Sequence, residues 1–454
     1  MREDTAQPRR ILMLSWEYPP RIVGGIARHV AELSRALADC GHVVDVLTAH
    51  HPGAPEEEEI ACAGGGRLRV LRARPSPINP LDFVCDIHQL DFELLQRLLR
   101  AWGGEAQAPA GLSSARYDVI HGHDWLVGFA ARTLRHGLGT PLVATIHATE
   151  SGRQGGLHTP MQHYIHSVEW MLTYDAWRVI CCSEAMSGEV IGSLRVPLDK
   201  VRVIPNGVDP ERLRCADDPI QLKEFRRRWA RDEERLIFFV GRLVREKGVE
   251  VLIDAMPEIL KDGLRAKLVV AGGGWWGDLA RRVRERGVDG RVVFAGFVSE
   301  DDLRRLYAIA DVAVFPSLYE PFGIVALEAM AAGAPVVTSD VGGFREVVRH
   351  GETGIHTWAN NSHSLAWGIR GVLLNPELAN RLRRQGREEV QARYSWDGIA
   401  QLTVAVYEEA LSLRDGRDMP ALIPQAGPGA RPRYVTAGAL VRGGRREGAV
   451  WSKR

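Results

Sequence analysis

The sequence predicts an α/β protein with two tandem Rossmann-like domains, each built on a doubly wound parallel sheet, that face each other across a cleft. Three observations lead to this prediction. The chain has 454 residues, which is more than one hydrophobic core usually supports. Short β-branched runs alternate with helical segments, as in parallel sheets covered by helices on both faces. The alternation stops in a charged stretch near residues 206–234 and then starts again.

The first half of the chain holds five predicted strands, and they assign residues 1–205 to a first domain. An acidic, glycine-rich stretch at residues 51–66 interrupts them and is predicted to be a disordered surface loop. The five strands are ILMLS (11–15), HVVDVLT (42–48), YDVIHG (117–122), PLVATIH (141–147) and WRVICCS (177–183).

The second half repeats the pattern, and residues 206–394 are predicted to form the second domain. Residues 395–414 then form one amphipathic helix that we expect to cross back to the first domain. Residues 415–454 are rich in Gly, Pro and Arg and are predicted to be a disordered tail. The strands of the second domain are LIFFVG (236–241), AKLVVAGGG (266–274), RVVFAG (291–296), DVAVFPS (311–317) and APVVTSD (334–340).

The composition limits the classes of partner. The 58 basic and 57 acidic residues nearly cancel, which disfavours a nucleic-acid binder held by a strong positive field. Six cysteines without a Cys-x-x-Cys pair are too few for a disulfide scaffold. Neither a membrane-spanning apolar run nor the apolar core of a signal peptide is found. We therefore expect a cytoplasmic protein that binds small molecules or neutral polymers; its oligomeric state cannot be predicted.

Two groups of residues in the first domain follow predicted strands. Gly24 and Gly25 precede a helix that begins near Ile26, a position where backbone amides can approach an anion, although a plain tight turn is the commoner meaning. Asp124 follows the strand YDVIHG, and His147 ends the strand PLVATIH. Each alone is more often a packed or capping residue, but both lie where the first domain should face the cleft.

In the second domain, two cations follow a strand directly. Arg242 and Lys247 lie in the turn GRLVREKG, which opens the next helix. Solvated surface charges are the usual role of such residues. Their position at a strand end, together with the glycine turn at 272–274, favours binding of a diphosphate.

The stretch LYEPFGIVALEAMAAG places two carboxylates around the start of a helix. Glu320 lies in the loop, and Glu328 lies about one and a half helical turns beyond Gly323. A carboxylate near the amino end of a helix at a strand end can accept hydrogen bonds from a ribose diol. An exposed helix glutamate is the alternative, and the small apolar neighbours of Glu328 disfavour it.

Together these residues resemble the retaining glycosyltransferases of the GT-B architecture, family 4, and in particular the bacterial and archaeal glycogen synthases. The resemblance covers about residues 10–414. Its most specific part is EPFGIVALEAMAAGAPVV with the Glu-x7-Glu spacing; GRLVREKG, PNGVD and the EYPP…GG segment agree in order, and HGHDW is similar to the glycogen-synthase branch. One departure is Val23, where many glycogen synthases have lysine before the paired glycines.

The resemblance implies a role for each matching residue. The first domain would face the acceptor and the second would bind the nucleotide sugar. Catalytic roles are implied for Glu320 and His147 beside the transferred sugar and for Asp124 towards the acceptor. Donor binding is implied for Arg242 and Lys247 (diphosphate), Glu328 (ribose), Gly24 and Gly25 (phosphates), Asn206 (near the sugar), Val298 (base), and the amides of Phe322, Gly323, Ile324 and Val325 (sugar and phosphate).

The predicted chemistry requires neither a metal nor a cofactor. Because no Asp-x-Asp occurs in the chain, the diphosphate charge would be neutralised by Arg242, Lys247 and helix amides. Glu320 and the carbonyl of His147 would stabilise the positive charge that develops at the anomeric carbon. Retention would proceed by front-face attack, with the leaving phosphate taking the acceptor proton; whether Glu320 also acts covalently stays open.

The predicted function is transfer of a hexose, with glucose from UDP- or ADP-glucose preferred, to an acceptor that is most simply an α-1,4-glucan. One alternative is a family 4 hexosyltransferase for a small-molecule or lipid-linked acceptor. Another, from a different class, is a catalytically silent nucleotide-sugar-binding module, which the joint presence of Glu320, Lys247 and Arg242 disfavours.

Overall fold

The first domain is organised around an eight-stranded sheet. The computed structural model of the chain describes residues 7–104, 117–274 and 277–416. The strand order is β3-β4-β2-β1-β5-β6-β7-β8, and every pairing is parallel except that of β3 with β4. The strands are β1 Arg10–Ser15, β2 Val43–Ala49, β3 Glu57–Ile60, β4 Arg67–Ala73, β5 Val119–His123, β6 Leu142–Ile146, β7 Arg178–Cys181 and β8 Val201–Val203.

The second domain has a six-stranded sheet in the order β11-β10-β9-β12-β13-β14, with all pairings parallel. The four central strands are largely buried, mainly apolar runs, as expected for a sheet with helices on both faces, whereas the edge strand β11 is mostly half-buried. They are β9 Arg235–Val240, β10 Ala266–Ala271, β11 Val292–Gly296, β12 Val312–Phe315, β13 Val336–Ser339 and β14 Ile355–Thr357.

The described helices cover these sheets. In the first domain they are α1 Gly25–Asp39, α2 Phe83–Gly104, α3 Gly128–Leu138, α4 Glu150–Gln154, α5 Pro160–Asp175 and α6 Glu184–Leu194. From residue 206 onwards they are α7 Pro219–Arg227, α8 Val249–Ile259, α9 Gly277–Glu285, α10 Glu300–Ile309, α11 Ile324–Ala332, α12 Phe344–Val347, α13 Ser362–Leu374, α14 Pro376–Arg393 and α15 Trp396–Arg414.

Each sheet has one point at which the strand order reverses. In the first sheet this point lies between β1 and β5, and in the second between β9 and β12. Loops at the carboxyl ends of such neighbouring strands leave a crevice where open α/β sheets bind ligands. The predicted pair of doubly wound parallel sheets is confirmed, and the topology indicates where a site should lie.

The predicted segment bounds can be placed on this fold. The boundary between residues 205 and 206 falls after β8 and before β9. The segment predicted at 395–414 corresponds to α15, which packs against α1 of the first domain. Residues 417–454 lie outside the described residues, and with them nearly all of the predicted disordered tail.

The interpretation of residues 51–66 as a disordered loop was wrong. Residues Glu57–Ile60 form β3, which pairs antiparallel with β4 at the edge of the first sheet. The acidic side chains meet arginines: Arg72 Nη2 lies 2.8 Å from Glu58 Oε1, and Arg97 Nη2 lies 2.7 Å from Glu57 Oε2. These partners are distant in sequence, so the acidic run resembled a solvated loop.

Helix α15 is tied to the first sheet by buried polar contacts. Tyr407 Oη lies 2.7 Å from His121 Nδ1 on β5. The carboxylate of Glu409, 3% exposed, lies 2.8 Å from Arg178 Nε and 2.7 Å from Arg202 Nη2. Both arginines lie on strands of the first sheet, so their contacts with Glu409 join α15 to that sheet. Because both guanidinium groups are largely shielded from water, Glu409 supplies the countercharge that they need.

Glu409→Gln should lower the free energy of unfolding by roughly 3 to 5 kcal/mol, because it leaves one buried and one half-buried arginine without a countercharge. The neighbouring Glu408 pairs with Arg9 at 2.7 Å, and both side chains are more than one fifth exposed. Glu408→Gln should therefore cost only about 0 to 1 kcal/mol. Urea denaturation of both variants checks this, and equal costs would contradict the assigned role of Glu409.

Candidate active site

The strand-order reversal of the second sheet brings together two residues predicted from the sequence. Lys247 lies in a 3-10 turn, Arg245–Lys247, after β9, and Glu320 lies in the loop after β12. Lys247 Nζ is 2.8 Å from Glu320 Oε2, and the Ser317 hydroxyl donates to the same oxygen at 3.0 Å. Glu320 is only 7% exposed. The cation and the hydroxyl offset the cost of burying this carboxylate.

The loop that carries Glu320 is held by close backbone packing. The carbonyl of Glu320 accepts a hydrogen bond from the Gly343 amide at 2.9 Å. Gly323 ends the loop with φ +105°, and a Cβ there would lie 2.4 Å from the ring of Phe344. Helix α11 begins at the next residue, so its first amides, those of Ile324 and Val325, lack intrahelical acceptors. They are suited to receive a phosphate or sugar oxygen.

Phe322 differs from its neighbours in this loop. Its side chain is 3% exposed and belongs to the apolar core, where it packs near Tyr394 with ring centroids 6.3 Å apart. Its side chain is therefore not available to a ligand, and the role that the resemblance implies for its amide stays a prediction.

Glu328 is surrounded by groups that sequence analysis missed. It is 2% exposed, and its carboxylate accepts hydrogen bonds from Arg28 of α1 and, at 3.2 Å, from Arg212 Nη2. The hydroxyl of Tyr307 lies 3.4 Å from the other oxygen. Arg28 also pairs with Glu300 at 2.7 Å. A ribose diol at Glu328 would thus share its acceptor with an arginine of the opposite domain.

Two further predicted donor residues lie apart from Glu320. Arg242 follows β9, but its guanidinium Nη2 lies 3.3 Å from Glu246 Oε1 and is about half exposed. Val298 is half-buried in the segment between β11 and α10. Both side chains lie in the second domain, and neither of them contacts Lys247 or Glu320 directly.

In the first domain, Asp124 and His147 meet at the ends of β5 and β6. Asp124 has a left-handed backbone, φ +61°, which is costly for a residue with a side chain and is often found at functional sites. Its Oδ1 accepts a hydrogen bond from the His147 amide at 2.7 Å. Burial raises the pKa of Asp124 to about 6 and lowers the pKa of His147 to about 3. His147 is therefore a neutral imidazole at pH 7.

The glycine turn of the first domain contains an unpredicted carboxylate. Glu17, 3% exposed, accepts hydrogen bonds from the amides of Val23 at 2.7 Å and Gly24 at 2.8 Å. Burial raises the pKa of Glu17. Gly25 starts α1, and a Cβ there would lie 3.2 Å from Ile324 Cδ1. The amino ends of α1 and α11 thus approach each other from opposite domains.

Asn206 contacts a cluster of buried histidines. Its Oδ1 lies 2.7 Å from His29 Nδ1 on α1, and both residues are at most 5% exposed. His123 Nδ1 lies 3.2 Å from His147 Nε2. Among the residues that the structure describes, His29, His123 and His147 form the one group with nitrogen atoms placed for a metal ion, all within 4.8 Å of one another.

Hydrogen bonds from the first domain also hold the loop that carries Glu320. The hydroxyl of Ser183 donates to the Pro321 carbonyl at 2.6 Å, and Tyr319 donates to Glu189 Oε1 at 2.9 Å. The amides of Glu184 and Ala185, at the start of α6, donate to the carboxylate of Glu346 at 3.0 and 2.9 Å. These contacts cross between the domains, so single motifs in the sequence do not reveal them.

Comparisons with known proteins show the family to which the chain belongs. Residues 23–212 match the family described as Glycosyltransferase Family 4, and residues 221–389 match the family described as Glycosyl transferases group 1. An uncharacterized glycosyltransferase of Methanocaldococcus jannaschii is 41% identical over 89% of this chain and 99% of its own. The chain belongs to glycosyltransferase family 4.

Two other similar proteins have named activities. A glycogen synthase of Mycobacterium tuberculosis is 36% identical to this family 4 glycosyltransferase over 88% of its chain and 94% of the synthase. The solved sucrose-phosphate synthase from Thermosynechococcus elongatus matches with a TM-score of 0.74 and 26% identity, over 89% of this chain and 100% of that one. The predicted GT-B fold and the resemblance to glycogen synthases are confirmed.

The described part of this family 4 glycosyltransferase contains no helix that is both apolar and long enough to cross a bilayer.

Gly323→Ala should destabilise the glycosyltransferase by about 2 to 4 kcal/mol, because a left-handed backbone and a contact with the Phe344 ring both oppose the methyl group. Gly351 has φ +75° but open space around it, so Gly351→Ala should cost only about 1 to 2 kcal/mol. Chemical denaturation checks the difference. Equal losses of unfolding free energy in the two variants would show that the loop adapts to a methyl group at residue 323 without strain against Phe344.

Proposed function

We propose that this glycosyltransferase is a retaining, metal-independent hexosyltransferase that moves glucose from a nucleotide sugar to an α-glucan. The observation that carries the proposal is the buried Lys247–Glu320 pair, in a loop that the first domain holds through Ser183 and Glu189. A carboxylate at this place can stabilise positive charge at an anomeric carbon, and the adjacent ammonium can stabilise a departing diphosphate.

The donor is proposed to lie along the carboxyl edge of the second sheet. Lys247, with Arg242 at the same strand end, neutralises the diphosphate, and the amides that open α11 contact phosphate and sugar oxygens. Glu328 accepts from the ribose hydroxyls. We propose UDP- or ADP-glucose as the donor, and no metal is needed because these cations and amides supply the positive charge.

The reaction is proposed to proceed on one face of the sugar. An acceptor hydroxyl oxygen forms a bond to the anomeric carbon as the bond to the phosphate oxygen breaks, and that electron pair leaves with the nucleoside diphosphate. The acceptor proton passes to the leaving phosphate. Glu320 and the carbonyl of His147 stabilise the oxocarbenium character, while Asp124 faces the acceptor and fixes the backbone of His147.

An aromatic surface on the first domain supports a neutral sugar acceptor. Trp16 follows β1 and Trp125 follows β5, at the strand-order reversal of the first sheet. Trp16 is half-buried and Trp125 is 4% exposed, and half-exposed Phe83 lies against both, with ring centroids 5.8 Å from Trp16 and 6.1 Å from Trp125. The ring of Phe83 is therefore the exposed one, and it presents an apolar face on which the C–H face of a pyranose ring can pack.

The acceptor class has two candidates. The glycogen synthase from Mycobacterium tuberculosis, similar over nearly the full length, supports an α-glucan. The similarity to sucrose-phosphate synthase supports the alternative of a small-molecule acceptor. All six cysteines are free thiols, which fits the proposal of a reducing cytoplasmic location.

The proposed activity is tested by nucleotide release from UDP-, ADP- and GDP-sugars in the presence of a chelator, with and without maltooligosaccharides. Release that requires both one glucose donor and the glucan is the expected result. Donor binding without glucan-dependent release would overturn the glucan proposal. The small-molecule candidate predicts release with a monosaccharide phosphate instead.

Phe83→Ala should raise the KM for maltooligosaccharides by about 5- to 50-fold, which corresponds to roughly 1 to 2 kcal/mol of lost aromatic packing, and leave the KM for the donor unchanged. The control is Phe92→Ala. Phe92 is also exposed on α2, but nine residues further along it lies about 13 Å away on the opposite face of the helix. Equal acceptor KM values in the two variants would contradict an acceptor role for the aromatic surface.

A further inference from the structure

Three histidines from separate elements converge beside the candidate site. His29 lies on α1, His123 ends β5, and His147 follows β6. Their ring centroids are 4.7 to 5.5 Å apart, and one nitrogen of each lies within 4.8 Å of the others. His29 and His123 are at most 5% exposed, whereas His147 is half-buried. The cluster is therefore closed on two sides and reachable through His147.

Buried nitrogen atoms in this cluster have no hydrogen-bond partner among the described residues. His29 Nδ1 lies 2.7 Å from Asn206 Oδ1, and because an amide oxygen only accepts, this nitrogen carries the proton. His29 Nε2 is then a bare lone pair, buried and unpaired. His123 Nε2 is also buried and unpaired. Such nitrogens are costly unless a donor or a cation faces them.

The contact between His123 and His147 leads to the same requirement. His123 Nδ1 and His147 Nε2 are 3.2 Å apart, so only one of them can hold the proton between them. When His123 donates it, the Nε2 atom of His123 is a second bare lone pair in the cluster, and His147 must exchange its hydrogen bond with His123 for the metal in order to become the third ligand. Neutral imidazole lone pairs that converge in this way are the ligands preferred by zinc, nickel and copper.

We propose that His29, His123 and His147 bind one divalent transition-metal ion, such as Zn²⁺, through one nitrogen each. The hydrogen bond from His29 to Asn206 orients the first ligand, as a partner on the other ring nitrogen does in known histidine metal sites. Nitrogens on one zinc ion lie about 3.4 Å apart when each Zn–N bond is about 2.1 Å. The rings must therefore close by about 1 Å, and half-buried His147 is the ring freest to move.

The metal would act as an inhibitor of the proposed transfer. Bound zinc holds the His147 imidazole between His29 and His123, and so restrains the residue whose carbonyl is proposed to stabilise the anomeric carbon. Catalysis itself runs without metal. This consequence rests on the proposed function, but metal binding does not, so the two can fail separately.

The test uses the full-length, untagged protein after treatment with a chelator. Zn²⁺ binding is measured by equilibrium dialysis with metal analysis, and Co²⁺ absorption reports the geometry of the bound ion. The expected result is one tight Zn²⁺ per chain in the wild type. Binding should weaken at least about 10-fold in His29→Gln and in His147→Gln, since each loses one ligand. His350→Gln, at a stacked histidine pair elsewhere in the second domain, should bind as the wild type does.

The same preparations give the second readout. Zn²⁺ should slow nucleotide release by the wild type, and the ratio of rates with and without Zn²⁺ should approach one in His29→Gln. Circular dichroism shows whether each variant is folded. If one of the two variants does not fold, the other still tests the metal site. Binding that is absent from the wild type, or unchanged in both His29→Gln and His147→Gln, would overturn the metal site.

Discussion

The candidate site depends on keeping a charged carboxylate, Glu320, almost out of contact with water. A buried carboxylate is stable only when a cation and hydrogen-bond donors replace its hydration. Lys247 and Ser317 supply these groups, and both follow strands that flank the strand-order reversal of the second sheet. The position of the proposed reaction centre is thus a consequence of sheet topology, because the two strand ends bring the ammonium and the carboxylate together.

The first domain completes this arrangement from the other side of the cleft. Ser183 and Glu189 fix the loop of Glu320, and Arg28 reaches Glu328 on α11. Each contact pairs a group of one domain with a group of the other. The proposed donor site is therefore shared between the domains: a nucleotide that contacted Glu328 would also change the surroundings of Arg28.

The fold and the motif residues could be predicted because their information is local. The strand at 236–241 is a continuous apolar run, and EPFG before a small-residue helix marks the loop of Glu320. Strand β4, Arg67–Ala73, was not predicted, because three of its seven residues are arginines. Two of its arginines are buried by pairing with Asp45 and Glu58, which are distant in sequence. Such a strand cannot be distinguished from a polar segment before its partners are known.

Prediction of the site was also limited to residues whose position follows from the local sequence. Lys247, Glu320, His147 and Asp124 follow strands, so their position at the cleft could be inferred from the chain. Arg28 and Glu346 lie within helices on the two sides of the cleft, and their functional contacts exist only when both domains are assembled. His29 could have been noticed four residues after Gly25, but nothing in the sequence connects it with His123.

The role of Glu320 is tested most directly by comparing donor binding and single-turnover transfer in the wild type and in Glu320→Gln, without metal. Gln keeps the shape of the side chain but removes the charge that stabilises the anomeric carbon. For Glu320→Gln we expect a donor dissociation constant within a few-fold of the wild type and a transfer rate lower by at least about 100-fold, roughly 3 kcal/mol. Transfer at a rate close to that of the wild type would show that the Lys247–Glu320 pair is not the reaction centre.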